Sequence, residues 1–278
     1  MTTQFFEQSK GAIAYDDSQG DGELVIMLPG MGALRSEYRF LAPAFVEAGY
    51  RVVTADLRGH GESSVGWPEY TLPAAGQDIL DLIDYLDAGP AHVIGTSFSP
   101  GAAVWAEVEQ PEAIRSLVLI GPWVRDAPSN FVKDALTAVL LSGPWKVWGW
   151  TTFYKTLYPT RKPDDFDGYL EQLAANLHEQ GRFSALKGLG FTPKTESEQR
   201  IGRVQAPTLV VMGSKDPDWP DPEVEANWII EQLSGELLLV EDAGHYPQTE
   251  MPQNVTPGIL NFLGRISSAA EQARGQGQ

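Results

Sequence analysis

The sequence predicts an α/β protein: a mostly parallel central sheet flanked by helices, with a helical segment inserted late in the chain. Three observations carry this. Short aliphatic and β-branched runs recur without polar alternation, as strands covered on both faces do. Stretches with helical spacing separate them. Between residues 123 and 203 the alternation lapses into helical patterns alone, and then the strand rhythm resumes.

Phe5 to Asp17 reads as an antiparallel starting pair. The buried-strand runs are Leu24 to Leu28 (LVIML), Arg51 to Ala55 (RVVTA), His92 to Gly95, Leu117 to Ile120 (LVLI), Thr208 to Met212 (TLVVM) and Leu237 to Val240 (LLLV). Helical spacing covers Arg35 to Ala48, Leu72 to Leu86, Ser99 to Glu109 and Pro222 to Leu233, with Gly49 and Gly89 at the stop positions. Residues 1–122 and 204–278 therefore read as one core domain. Residues 123–203 read as a helical cap over the C-terminal edge of its sheet. The polar, Gly/Gln-rich stretch from Ala269 to Gln278 reads as a frayed tail.

A chain of 278 residues with 42% hydrophobic content suits such a core with its insertion better than two independent domains. Its 20 basic against 37 acidic residues give a net charge of −17, a field that repels nucleic acid and anionic membrane surfaces. The expected partner is a small-molecule substrate. The sequence carries no signal for an oligomeric state. The absence of cysteine excludes disulfides, a thiol nucleophile and thiolate metal sites. The N-terminal residues lack the basic start and apolar core of a signal peptide, which makes the cytoplasm the expected location. Ala135 to Tyr154 has the length of a membrane span, but Gly143-Pro144 and Lys146 interrupt it, which argues against a span.

The chemistry centres on Gly95-Thr96-Ser97-Phe98-Ser99, which follows a strand and opens a helix with Pro100 in its first turn, where a missing N–H is harmless. A strand-to-helix turn of this kind exposes a serine hydroxyl in a strained conformation and needs small neighbours. Gly95 meets that need, and Ser99 stands where a second glycine is usual. Gly101, Ala102 and Ala103 keep the following helix slim.

The chain thus resembles the α/β-hydrolase superfamily, serine-nucleophile branch. The resemblance covers nearly everything outside the cap and implies the same fold. It also implies Ser97 as nucleophile, Asp216 in the turn Gly213-Ser-Lys-Asp as the acid, and His245 in Glu241-Asp-Ala-Gly-His as the base. A serine hydroxyl needs such a base to take its proton, and the carboxylate holds the imidazole in the right tautomer. Asp218, Asp221 and Asp126 are rival acids. The oxyanion hole is expected from the backbone N–H groups of Phe98 and of Met31, in the loop Pro29-Gly30-Met31-Gly32. Pro29 stands where the family often has histidine.

Other polar residues read as structural. His60 belongs to the loop Asp56-Leu-Arg-Gly-His-Gly-Glu-Ser63, His92 begins a strand and His178 lies in the cap. Asp78, Asp81 and Asp84 fall on one helix and read as a solvated face. No metal set and no nucleotide loop is evident, so no cofactor is expected.

The cap is rich in aromatics: Trp123, Trp145, Trp148, Trp150, Phe153, Tyr154 and Tyr158. The first six are candidates for an apolar substrate pocket. The expected function is a carboxylesterase-like serine hydrolase cleaving an ester or related carbonyl substrate with a hydrophobic acyl part through an acyl-enzyme. Serine at position 97 argues against the superfamily branches that use a carboxylate nucleophile. The alternatives are a carbon–carbon bond hydrolase of diketone-type substrates and a ligand-binding protein on the same fold that does not turn over.

Overall fold

The computed structural model describes residues 2–126, 139 and 141–275. Its centre is one eight-stranded sheet: β1 (Gln4–Gln8), β2 (Gly11–Asp17), β3 (Leu24–Leu28), β4 (Arg51–Ala55), β5 (Ala91–Thr96), β6 (Ile114–Ile120), β7 (Thr208–Gly213) and β8 (Glu236–Val240). The strand order is β1-β2-β4-β3-β5-β6-β7-β8. β1 and β2 pair antiparallel, β2 joins β4 antiparallel, and every later pairing is parallel. The hydrophobic runs correctly marked the strands because a parallel sheet covered on both faces needs apolar residues at every position.

The alternation of side chains across the sheet divides these runs between two cores. Leu24, Ile26, Val93, Leu117, Leu119 and Val210 face α2 (Leu72–Leu86), α3 (Ser99–Glu109) and α8 (Pro222–Leu233). Their neighbours Val25, Met27, Ile94, Val118 and Val211 face α1 (Ala42–Glu47) and α10 (Pro252–Gly275), which contribute Phe45, Val255, Ile259 and Phe262. α2 and α3 cross closely: a Cβ on Gly101 would sit 2.8 Å from Leu72 Cδ1, so the slim face of α3 is a packing requirement.

Three helical expectations need correction. Arg35 to Ala48 is not one helix but a 3₁₀ turn at Arg35–Arg39 followed by α1. Pro43 can donate no hydrogen bond back to residue 39, which breaks the run there. Gly89 is not the stop of α2, because Asp87 takes the left-handed C-terminal position with φ 45°. α10 continues to Gly275, into the stretch expected as a frayed tail.

Between β6 and β7 the long elements are helical: α4 (Lys146–Thr156), α5 (Phe166–His178), α6 (Arg182–Phe191) and the short α7 (Thr195–Glu198). Val147, Trp150, Tyr154, Phe166, Tyr169, Leu173 and Phe183 form a third core, closed from below by Ala33 and by Tyr246, which precedes α9 (Pro247–Glu250). Residues 127–138 and 140, the first part of the expected cap and of the 135–154 apolar stretch, lie outside the described residues. Among the described residues no helix is long and apolar enough to cross a membrane.

Candidate active site

Parallel strands β5 to β8 end on one edge of the sheet, where their following loops converge. Ser97 stands directly after β5 with φ 59°, a left-handed conformation that a non-glycine residue adopts only under local constraint. The constraint is visible. Ser97 N–H donates to Ile120 C=O at 2.9 Å, and its own C=O accepts Trp123 N–H at 2.9 Å, so the elbow is stitched to the end of β6. Gly95 must be glycine, since a Cβ there would lie 2.9 Å from Pro100 N and from Ser99 C. Ser97 is buried, and Phe98 opens α3, where backbone N–H groups have no partner within the helix and the dipole favours negative charge.

Next on the edge, Gly121 follows β6, and a Cβ on it would meet the His245 ring at 3.2 Å. The imidazole of His245 and the hydroxyl-bearing elbow therefore flank the same strand end. His245 Nδ1–H donates to Asp216 Oδ2 at 2.8 Å, with both side chains buried. Asp218 Oδ2 is 3.6 Å from the same nitrogen and half-exposed, while Asp218 N–H donates to Asp216 Oδ1 at 3.0 Å. Burial alone would lower the pKa of His245, but the Asp216 carboxylate, with Asp218 beside it, reverses this and raises it to about 9. The histidine loop is tied to the helices above, since His245 N–H donates to Leu157 C=O at 2.9 Å and Gly244 N–H to Glu250 Oε2 at 2.6 Å.

Of the rival acids Asp218 stands beside His245, and the other two are elsewhere. Asp126 Oδ2 accepts Lys194 N–H, and Asp221 accepts Val224 N–H as the N-cap of α8. Asp216, Asp218 and His245 also form the one group of three acid or histidine residues with metal-ligand spacing among the described residues, their donor atoms within 4.8 Å of one another. The Asp216 and His245 atoms in that group already bond each other.

Over Ser97 lies the loop Pro29-Gly30-Met31-Gly32. A Cβ on Gly30 would lie 3.0 Å from both Ser97 Cβ and Tyr246 Oη, so a side chain here would crowd the elbow. Ala33 N–H donates to Gly30 C=O at 3.1 Å, and Gly32 has φ 69°, making a tight turn with Met31 and Gly32 at its tip. The N–H groups of those two tip residues are not spent on the turn's own hydrogen bond.

The candidate pocket aromatics divide by helix face. Trp150 and Tyr154 are buried, Trp150 Nε1–H donating to Gly32 C=O at 3.3 Å and Tyr154 packing 5.2 Å from the Tyr246 ring. Phe153 is half-buried against Trp150, and half-buried Trp123 carries Lys194 Nζ 3.6 Å above its ring. Trp145 and Trp148 are instead 48% and 63% exposed. Residues 147, 150 and 154 share one face of α4, and Trp148 turns away from it. Trp145 sits just before the helix, its Nε1–H on Val139 C=O.

His60 and His92 are buried, and burial lowers the pKa of each to about 4. His60 Nδ1 pairs with Arg58 C=O at 3.0 Å and His92 Nδ1 with Ser116 Oγ at 2.7 Å. The aspartates of α2 need one correction: Asp78 is not solvated but buried in an ion pair with Arg58 at 2.7 Å.

Residues 23–252 match the family model for the alpha/beta hydrolase fold. The chain belongs to the α/β-hydrolase family. It is 27% identical over 230 residues, 80% of this chain and 82% of the relative, to the 3-oxoadipate enol-lactonase 1 of Acinetobacter baylyi. It is also 27% identical over 267 residues, 90% and 91% of the two chains, to the 2-hydroxy-6-oxo-6-phenylhexa-2,4-dienoate hydrolase of Comamonas testosteroni. A bromoperoxidase structure from Bacillus anthracis superposes with a TM-score of 0.82 at 19% identity, covering 95% of this chain and all (100%) of that one. This α/β hydrolase has hydrolytic enzymes as relatives, and it is such an enzyme.

Two departures of this α/β hydrolase from the family pattern meet in space. Ser99, where a second glycine is usual, donates its hydroxyl to the carbonyl of Pro29, where histidine is usual, at 2.6 Å. The contact joins residues 70 apart in sequence, so neither departure announced the other. Glu37, Gln248 and Glu250 are further buried polar residues of the site that sequence reasoning missed. Glu37 sits in Arg35-Ser-Glu-Tyr-Arg39, a polar stretch in which nothing marks it as buried.

Proposed function

We propose that this enzyme is a serine hydrolase that cleaves a carboxylic ester or related carbonyl compound with a hydrophobic acyl part. The observation that carries the reading is the strained Ser97 elbow on the same strand end as the buried His245–Asp216 pair. Ser97 attacks the carbonyl as His245 takes its proton, and Asp216 stabilises the imidazolium that forms. The Met31 and Phe98 N–H groups stabilise the tetrahedral oxyanion. His245 then protonates the leaving group and water releases the acyl group. Trp123, Trp150, Phe153 and Tyr154 supply the apolar surroundings that favour a hydrophobic acyl part. The relationship to the Comamonas hydrolase supports carbon–carbon cleavage of a vinylogous diketone as a second reading.

Labelling with a fluorophosphonate and mapping the adduct tests the nucleophile, and a panel of short esters, lactones and vinylogous diketones tests the substrate class. An adduct at Ser97 with ester turnover at least about tenfold above diketone turnover is expected, the margin of a discriminating pocket. An adduct elsewhere would sink the reading. Diketone turnover in excess would move the assignment to the carbon–carbon hydrolases.

The pH profile has a definite sign. Only neutral His245 can accept the Ser97 proton, and the carboxylates around it (Asp216, Asp218 and, farther off, Glu37) hold it protonated well above the ordinary 6.5. kcat/KM therefore rises through neutrality, has its midpoint near pH 9 and levels off only above it. Asp218→Asn removes one of these charges and is expected to move the midpoint downward. An unchanged midpoint in that variant would contradict the role given to Asp218.

A further inference from the structure

Glu37 lies in the 3₁₀ turn Arg35–Arg39 with only 1% of its surface exposed. Its partners are neutral donors from two separate pieces of the site. Oε2 accepts Gly30 N–H at 3.2 Å, in the loop over Ser97. Oε1 accepts Gln248 Nε2–H at 2.7 Å, three residues after His245. The same Gln248 amide donates to the hydroxyl of Thr96, the residue before Ser97, at 3.2 Å. Around this carboxylate stand the ionisable groups of His245, Tyr38, Tyr154, Tyr158, Tyr169 and Tyr246. Burial raises its pKa to about 7, against the pull of these donors and of His245. A carboxylate buried this way is costly, and a methionine would fill the space without the cost.

We propose that Glu37 is a positioning residue for the reaction: its carboxylate fixes Gly30 so that the turn presents Met31 N–H to the carbonyl held at Ser97, and ties that turn to the segment following His245. The inference rests on the serine-hydrolase reading. The donor peptide joins Gly30 C=O to Met31 N–H, and its direction is set by the torsions of Gly30, the residue with the greatest conformational freedom. Gly30 is held at each end. Its C=O accepts Ala33 N–H, and its N–H is the group that Glu37 takes. The preceding Pro29 has no N–H to offer, and its C=O is held by Ser99. Without Glu37 the Gly30 N–H loses its partner, and the torsions of Gly30 that aim Met31 N–H are fixed from one side only, by the Ala33 bond. Donors misaimed in this way lose most of their value toward an oxyanion while substrate binding is little changed.

The test uses the full chain with Glu37→Met and Glu37→Gln, measuring kcat and KM on a short ester and the rate of fluorophosphonate labelling at Ser97. Glu37→Met is expected to lower kcat and the labelling rate together by about 10- to 100-fold, with KM within about threefold. Glu37→Gln is expected to recover most of that loss. Its amide oxygen can take Gly30 N–H, and its NH₂ can donate, once the Gln248 amide turns over, to Gln248 Oε1, an atom with no hydrogen-bond partner among the described residues. If Glu37→Met does not fold, Glu37→Asp, one methylene too short to span Gly30 and Gln248 together, is expected to show the same kcat loss. A folded Met or Asp variant within about threefold of wild type would overturn the inference alone, and so would a Gln variant as slow as the Met one. Wild-type enzyme that is not labelled at Ser97 would overturn the serine-hydrolase reading, and this inference with it.

Discussion

Ser97→Ala is expected to lower ester turnover by at least about 10³-fold, to the level that the oxyanion donors and binding provide without a nucleophile. The change removes one oxygen and keeps the Cβ. The backbone bonds to Ile120 and Trp123 that shape the elbow survive it, and near-native circular dichroism and melting temperature are expected. Fluorophosphonate incorporation should vanish with the hydroxyl. The strained conformation makes a companion measurement possible. A left-handed non-glycine residue costs on the order of 1 kcal/mol, so Ser97→Gly should melt higher than Ser97→Ala while being equally inactive. Full turnover in either variant would end the assignment of Ser97. Equal melting temperatures would show that the elbow stores no strain.

How much of this was legible in the sequence depends on how local each determinant is. The strand runs show themselves because both sheet faces are buried, so Leu24 to Leu28 needs no knowledge of its neighbours to read as a strand. Ser97 is legible for a similar reason. Its turn requires a glycine at 95, tolerates a proline at 100 and begins a slim helix, all within nine residues of sequence. Pro43 should have broken the helix drawn through Arg35 to Ala48, but the apolar spacing on either side hid it.

What the sequence withheld is contact between distant segments. Glu37 meets Gln248 across 211 residues, and Ser99 meets Pro29 across 70. Neither partner carries a local signature. Ser99 looked like a weakened glycine and is instead an anchor for the loop above it. The tryptophans are a different case. Three indoles in six residues, Trp145, Trp148 and Trp150, signal burial by composition. Which face of the helix is covered depends on α5 and α6, whose positions composition does not encode. Asp78 likewise reads as solvated because its partner Arg58 lies 20 residues away in sequence.

Asp216→Asn is expected to lower kcat by up to about 10⁴-fold, although asparagine is nearly isosteric with aspartate. The two oxygens of Asp216 have different tasks: Oδ2 accepts the His245 Nδ1–H and Oδ1 accepts the Asp218 backbone N–H. Asparagine has one oxygen. If that oxygen keeps the Asp218 N–H, the NH₂ faces Nδ1, and His245 can accept there only by moving its proton to Nε2, the nitrogen that must take the proton from Ser97. If the amide turns over, its NH₂ meets the Asp218 N–H, donor against donor, and the loop carrying Asp218 loses a hydrogen bond. Either orientation removes the full charge beneath the imidazole, so the His245 pKa falls even as activity is lost. Asp218, farther away and half-exposed, replaces only part of that charge. The discriminating measurement is the ¹⁵N resonance of the His245 ring. The wild type above its pKa should carry the proton on Nδ1, and the Asn variant on Nε2. An Asn variant with the wild-type tautomer and a loss below about tenfold would remove Asp216 from the triad and transfer its role to Asp218.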